Sequence, residues 1–402
     1  MKRNGRTFTQ ELESEAVLRV SQEGMSVAKA SRDLDIHGSS LVRQAEVDEI
    51  KGGSGPWTTE GRVRTALGSI CLCGLLLAGS PVIGGIAGNV LLGTGVALTP
   101  RNFPQHTPLD VSDMFLLGKE AGDFAVFIYQ WSEADLHRVA EDMLQQSRQH
   151  GLTPIVAVSP TVLGGTRSEY DVPSSVRERV KGTLSFSNEL VSGPFIETAI
   201  RLAKLQPPYL CLATEINFLA FKDIQEYLYF AHVYKKLYPV IKEISPDTKV
   251  FVSFQWDYFQ IMDASEPDAI KEHSKLIELF RPELDLVAFT SYPAGHFSSP
   301  VEIPRDYYAN VFRHLRKSDE VVFMEIGWPT RGSGSEESQR AFIQRLPELM
   351  QDVKPSVVAW SLLHDVRLPG LGEDLGSTGL LSNNGSKKVG FEAFVELARS
   401  IR

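Results

Sequence analysis

Short apolar runs bounded by glycine, proline or polar residues recur from Gly93 to the end of the chain. Between them lie longer stretches with apolar residues at helical spacing. The short runs read as buried parallel strands and the stretches between them as amphipathic helices. The pattern predicts strands over 95–100, 124–131, 153–160, 209–215, 249–256 and 285–292, one carrying Glu325, and one over 356–362. It predicts helices over 108–122, 132–150, 188–205, 224–244, 267–280, 306–317, 336–353 and 391–401. One connection, 161–184, is much longer than its neighbours. Eight strand–helix units in a stretch of about 310 residues match an α/β fold of the (β/α)8 TIM-barrel type. A doubly wound open sheet ranks below it, because no glycine-rich phosphate loop follows the first strand.

Two strands deliver a carboxylate where they end. VVFMEIGWPT places Glu325 behind an apolar run and before Gly-Trp-Pro, and YLCLATEINF does the same for Glu215. In a parallel barrel the C-terminal strand ends share one face, so both side chains would open onto the same cleft. Paired carboxylates on one face are the requirement of two-step sugar chemistry, at a separation of about 5–5.5 Å. The other strand ends carry Arg101, Asn102, Tyr129, Trp131, Ser159, Asn217, Gln255, Trp256, Tyr258, Ser291, Tyr292, Trp328, Trp360, His364 and Asp365. Aromatic platforms with amide and hydroxyl partners suit sugar rings, which offer apolar C–H faces and many hydroxyls. Packing in the core or rim is the competing reading of each aromatic. For either glutamate, the competing reading is an ion pair inside the barrel with Arg101 or another base.

Residues before Gly93 are of two other kinds. Over 1–60 the chain is polar and helical, with apolar residues at Leu12, Ala16, Val17 and Val20. Arg6-Thr-Phe-Thr9, Ser26-Val-Ala-Lys-Ala-Ser-Arg-Asp-Leu34 and Arg43-Gln-Ala-Glu-Val-Asp48 resemble the helix-turn-helix of insertion-sequence transposases. A turn of the recognition helix is missing, since Ser39-Ser40-Leu41-Val42 runs straight into Arg43. Residues 1–65 hold ten Lys/Arg and ten Asp/Glu, and the whole chain carries −9. Phosphate attraction needs a basic excess, so no nucleic-acid partner is expected. A DNA-binding arm is the alternative that this resemblance raises.

Residues 61–92 join a linker to an apolar segment. Ala66–Gly79 is short for a membrane span and suits the core of a signal peptide, with Arg62 and Arg64 before it. Translation starting near Val63 would place that segment at the N-terminus. The expectation is a bacterial protein exported or bound to the cell envelope if the segment acts as a signal, and cytoplasmic otherwise. The segment is also a candidate for transient or anchoring membrane contact, or for an apolar helix packed on the barrel's bottom. Cys71, Cys73 and Cys211 make no disulfide framework, and Cys-x-Cys without a second pair makes no metal site. No metal or other cofactor is expected, and a monomer is.

Glu-Ile-Asn at 215–217, Ser-Tyr-Pro at 291–293 and Glu-Ile-Gly-Trp-Pro at 325–329 carry a second resemblance, with Thr378-Gly-Leu-Leu and Gly385-Ser-Lys-Lys388 at the close. Residues 93–402 resemble glycoside hydrolase clan A, and within it arabinogalactan endo-β-1,4-galactanases and related endoglycanases. The resemblance implies a retaining endo-β-glycosidase acting on an oligo- or polysaccharide. It implies Glu215 as general acid/base, Glu325 as nucleophile, Tyr292 as hydrogen-bond donor to the nucleophile and Trp360 as floor of the cleaved sugar's subsite. The clan places Asn before the acid/base, to hold the sugar 2-hydroxyl; here that position is Thr214. A carbohydrate-binding barrel that has lost turnover through Thr214 is therefore the other reading.

Overall fold

In a computed structural model the described residues are 93–401, apart from 164–166, 168, 262–268, 311–314 and 369. The helix-turn-helix fragment, the linker and the apolar segment of 1–92 lie outside the described residues.

Nine parallel strand segments form one sheet: β1 (Gly93–Ala97), β2 (Phe124–Gln130), β3 (Thr153–Ser159), β4 (Tyr209–Cys211), β5 (Lys249–Phe251), β6 (Ser253–Gln255), β7 (Val287–Ser291), β8 (Val321–Ile326) and β9 (Val357–Trp360). Their order is β5-β4-β3-β2-β1-β9-β8-β7-β6. The two edge segments are halves of one run, interrupted only at Val252. Its first half pairs with β4 and its second with β7, so residues 249–255 join the two edges. The result is a nearly closed barrel with eight strand positions, as the alternating pattern predicts.

Helices follow the strands: α1 (Pro108–Ala121), α2 (Leu136–Gln149), α3 (Ser174–Arg179), α4 (Glu189–Lys204), α5 (Asn217–Lys222), α6 (Ile224–Ile244), α7 (Trp256–Ile261), α8 (Ala269–Glu278), α9 (Glu336–Leu349), α10 (Glu373–Gly376) and α11 (Val389–Ile401). Their starts are written locally. Thr107 and Asp110 form a reciprocal capping box before α1, with Pro108 in the first turn. Asp223 accepts from the Gln225 and Glu226 N–H groups at the head of α6. The helix expected over 306–317 differs: 305–308 is a turn and 309–310 a 3-10 turn, followed by residues outside the description. Two consecutive side chains there, Tyr307 and Tyr308, are both buried, which a one-faced surface helix would not bury together.

An aromatic girdle fills the space between strands and helices. Phe115 meets Phe127, and Phe186, Phe195 and Phe230 make edge-on contacts. Phe254, Phe289 and Phe323 continue it on the other side of the barrel. This girdle sets which face of each strand is left for the barrel interior.

Candidate active site

Successive side chains of a strand point to opposite faces, and the contacts fix which face is which. On β7, Phe289 packs against Trp256 and Phe323 on the helix side. Thr290 points inward, and its hydroxyl donates to Glu215 Oε1 at 2.6 Å. Tyr292, just past the strand, donates to Glu325 Oε2 at 2.7 Å. Residues from strands four, six and seven of the barrel therefore meet at its C-terminal end.

Glu325 reaches this interior because β8 carries a bulge. Phe289 pairs with Phe323, but the next residue, Thr290, pairs with Glu325, and Met324 is skipped. Phe323 faces the helix side, where its ring lies 5.1 Å from that of Tyr308. In a regular strand Glu325, two residues on, would face the helices as well. The extra residue turns it into the barrel.

Glu215 arrives by a different route. The regular ladder of β4 stops at Cys211, four residues before it. The chain continues along the fifth strand through Leu212 N to Phe251 O and Ser253 N to Ala213 O, both 2.9 Å. Glu215 itself is left-handed, with φ 52°, a conformation costing a residue with a side chain about 1–3 kcal/mol. Its N–H donates to Ser253 Oγ at 3.0 Å, which pins the turn.

The two carboxyl groups have unlike surroundings, though both glutamates are 6% exposed. Glu215 is ion-paired: Arg167 Nε lies 2.7 Å from its Oε2. The same guanidinium donates to Thr214 Oγ1 at 2.7 Å. Arg167 stands on the long connection after β3 and its side chain is 9% exposed. The competing expectation, a barrel ion pair with a base, thus holds for Glu215, with Arg167 as the base in place of Arg101. Arg101 instead pairs with Asp110 and Asp113. Among the described residues Glu325 has no ion pair of its own, and its Oε1 is buried without a hydrogen-bond partner. Burial and the charge of Glu215 push its carboxyl up to about 7, against the opposing effects of Arg167 and the Tyr292 hydroxyl. Burial and the two carboxylates push the Tyr292 phenol well up, so it stays a donor.

Several expected sugar contacts belong elsewhere. Tyr129 and Trp131 have the outward parity of β2, shared with Phe127. Trp131 packs on Phe186 and Phe195 and donates to Thr198 Oγ1 at 3.1 Å. The Tyr129 hydroxyl is buried without a partner. Trp256 sits among Phe259, Phe289 and Tyr307. Trp328 packs on Phe342 of α9 and donates to Ser338 Oγ at 2.9 Å. Trp360, between Phe342 and Phe394, donates to Thr378 O at 2.7 Å. The four tryptophans are 0–2% exposed. They are sheet–helix packing, not platforms in a cleft, because strand parity gives them to the girdle. Asn217 and Gln255 are buried too. Asn217 clasps the Gln255 backbone through Nδ2 to O at 3.1 Å and N to Oδ1 at 2.8 Å. The Gln255 amide is spent on Asp257 and the Tyr258 N–H.

Of the expected site residues, Glu215, Glu325, Thr214 and Tyr292 come together. Arg167 and Thr290 join them. Thr290 was within reach of a parity argument, being two residues from Tyr292 on the same face. Arg167 carries no local motif; the only signal is the unusual length of its loop. Among the described residues no group of three or more His, Cys, Asp or Glu side chains is placed to hold a metal ion. A depression of about 480 Å³ lies on the loops after β8 and β9, lined by Arg331, Arg367 and Glu373 among others, and neither glutamate borders it.

No protein-family model matches the chain, and no curated protein matches it in sequence. Solved structures do match its fold. A GH5_18 protein from Streptomyces cattleya, in complex with GlcNAc, superposes with TM-score 0.59 at 16% identity, over 77% of this chain and 80% of that one. An exo-β-1,4-mannosidase from Opitutaceae bacterium strain TAV5 gives 0.58 at 15%, over 76% of this chain. This chain spans 59% of that mannosidase's length. The GH53 catalytic domain from Ignisphaera aggregans gives 0.54 at 15%, over 78% of this chain and 98% of that domain. The chain therefore shares the TIM-barrel fold of these glycoside hydrolases.

Proposed function

We propose that this barrel is a retaining β-glycosidase in which Glu325 is the nucleophile and Glu215 the general acid/base. One observation carries the reading. Two buried carboxyl groups, from the ends of the fourth and seventh barrel strands, face one interior and are each hydrogen-bonded from the end of the sixth, by Thr290 and Tyr292. Two backbone departures, a left-handed turn and a bulge, aim them there, and such local strain concentrates at functional sites.

In the first step Glu325 attacks the anomeric carbon. The bond from that carbon to the glycosidic oxygen breaks, and the proton of Glu215 passes to the leaving oxygen. Water then attacks the glycosyl-enzyme, with Glu215 taking its proton, and the configuration is retained. Tyr292, bonded to Glu325 Oε2, orients the attacking carboxylate and steadies its charge before and after the covalent step. The substrate is a β-linked oligo- or polysaccharide.

A carbohydrate-binding barrel without turnover is the second reading, favoured by Arg167 on Glu215. Hydrolysis of aryl β-glycosides by the full chain decides between them, with Glu325→Gln as the control. Release of the aryl group by the parent and not by the variant supports the enzyme. Sugar binding by calorimetry with no release from any glycoside supports the binding protein.

A further inference from the structure

We infer that the substrate of this site carries a carboxylate on the sugar bound beside Glu215, that is, a uronic acid, and that Arg167 is the residue selecting it. The inference rests on the glycosidase reading for its chemistry and on Arg167 for its specificity.

Arg167, Glu215 and Glu325 share one buried interior, with Tyr292 and Thr290 as neutral donors. Arg167 and Glu215 form an ion pair, and Glu325, with no ion pair among the described residues and with Oε1 bare, is placed to hold a proton. The three groups then sum to zero. This is the reverse of what the first step needs, since Glu215 must donate a proton and Glu325 must be anionic.

A neutral sugar does not correct the reversal. Moving the proton from Glu325 to Glu215 would leave Arg167 without its partner in a buried place, and a buried charge stripped of its partner is strongly unfavourable. A sugar carboxylate corrects it. It takes the guanidinium from Glu215, and two-point pairing with a carboxylate is the geometry arginine is built for. Glu215, relieved of its cation and beside a new anion, takes the proton that Glu325 gives up. The balance is simple: one proton moves between the glutamates, none is gained or lost, and the site's charge changes only by the substrate's −1. Binding the correct substrate thereby sets both glutamates for the first step.

Position supports the same assignment. The same guanidinium donates to the hydroxyl of Thr214, the residue before Glu215. Arg167 thus lies beside the carboxyl group that would reach the leaving oxygen, and its side chain is 9% exposed.

The test pairs turnover with binding. Parent and Arg167→Gln are assayed on 4-nitrophenyl β-glucuronide and β-galacturonide against the β-glucoside and β-galactoside. The same proteins are titrated calorimetrically with the methyl β-glycosides of the four sugars. The expected result is a uronide preference of at least a hundredfold in kcat/KM and tenfold in binding, both lost in Arg167→Gln. Lys in place of Arg167 should restore part of the binding. Turnover of neutral glycosides with no uronide preference overturns the inference and leaves the glycosidase reading intact. Uronide binding that depends on Arg167, without any turnover, upholds the specificity and removes the glycosidase reading. Equal binding of charged and neutral sugars, or a preference that survives Arg167→Gln, overturns the inference whatever the activity.

Discussion

The Glu215 corner and the Glu325 corner hold the same side chain at the same exposure, yet they are built oppositely. At Glu215 both oxygens have donors, Thr290 on one and Arg167 on the other. At Glu325 one oxygen has Tyr292 and the other has nothing. Glu215 is presented by a left-handed residue after a strand has ended, Glu325 by a bulge within a strand. The comparison teaches that surroundings, not residue type, assign the proton in a carboxyl pair. Burial and the neighbouring Glu215 raise the Glu325 carboxyl, so its surroundings favour a proton there. The proposed glycosidase reading requires the opposite assignment, so under it a substrate must act on the Glu215 corner first.

The largest effect comes from removing each corner in turn. Glu325→Gln should abolish turnover and leave sugar binding, because no carboxylate remains to form the covalent bond. Glu215→Ala should lose about 10²–10⁴ in rate on substrates with poor leaving groups. It should keep the first step on activated aryl glycosides, whose glycosyl-enzyme then accumulates. Azide should release that intermediate as the azide of retained configuration. Azide rescue with inversion is expected in Glu325→Ala, whose short side chain leaves room for the anion, so the stereochemistry of the product separates the roles. The reverse pattern would exchange the two corners.

A second large effect lies outside both corners. Trp360 faces the helix layer, so Trp360→Ala should cost about 3–5 kcal/mol of stability. Sugar affinity, measured by calorimetry where the variant is still folded, should be unchanged. A well-folded variant that no longer binds sugar would return Trp360 to the subsite.

This contrast shows what the chain's pattern discloses. The eight strand positions are legible because apolar runs and helical stretches alternate with little ambiguity, and the capping residues Thr107 and Asp223 mark helix starts. Glu215, Glu325 and Tyr292 are legible because charge and hydroxyl at a strand's end have few structural uses. The tryptophans lie apart from the expected site for a physical reason. Being at a strand's end fixes height in the barrel, but the face depends on parity, and parity is set by register. Counting from Phe127 puts Trp131 outside. Counting from Phe323 would have put Glu325 outside as well, and only the bulge at Met324 corrects it. A bulge has no residue signature here. Arg167 is harder still, because a loop residue comes to Glu215 through a tertiary path that no periodicity encodes.

The protonation of Glu325 predicts a smaller, pH-dependent effect. Its carboxyl is raised from 4.5 to about 7 in the folded chain, by burial first and by Glu215 second. Between those values the folded state holds a proton that the unfolded chain has released. Stability contributed by this group is therefore full below the ordinary glutamate value and is lost as pH rises through about 7. The whole shift corresponds to about 3 kcal/mol as an upper value. Glu325→Gln keeps the shape without the ionisation. It should melt a few degrees above the parent at pH 8 and close to it at pH 4. A difference of the same size at both pH values would place the gain in packing rather than in charge.

The smallest effect is the most selective for the Glu215 corner. Thr290 gives its hydroxyl to Glu215 Oε1 at 2.6 Å, while its neighbour Tyr292 serves Glu325. Thr290→Val has nearly the same shape and removes only the donor. A buried carboxylate oxygen left without its partner costs about 1–3 kcal/mol. If Glu215 is the acid/base as proposed, the loss should fall on kcat, by about tenfold for each 1.4 kcal/mol given up at the transition state. KM should change little if Thr290 acts through its hydrogen bond to the glutamate. Thr290→Ser keeps the hydroxyl and drops a methyl group, so its rate should stay within about twofold of the parent, a difference of roughly 0.4 kcal/mol on the same scale. The pair separates hydrogen bond from packing. Equal losses in Val and Ser would mean that the methyl group, not the donor, positions Glu215. Tyr292→Phe completes the set from the other corner: without that donor the Glu325 carboxyl rises further, and the pH at which kcat/KM reaches half its plateau should move up, whereas Thr290→Val should leave that limb where it is.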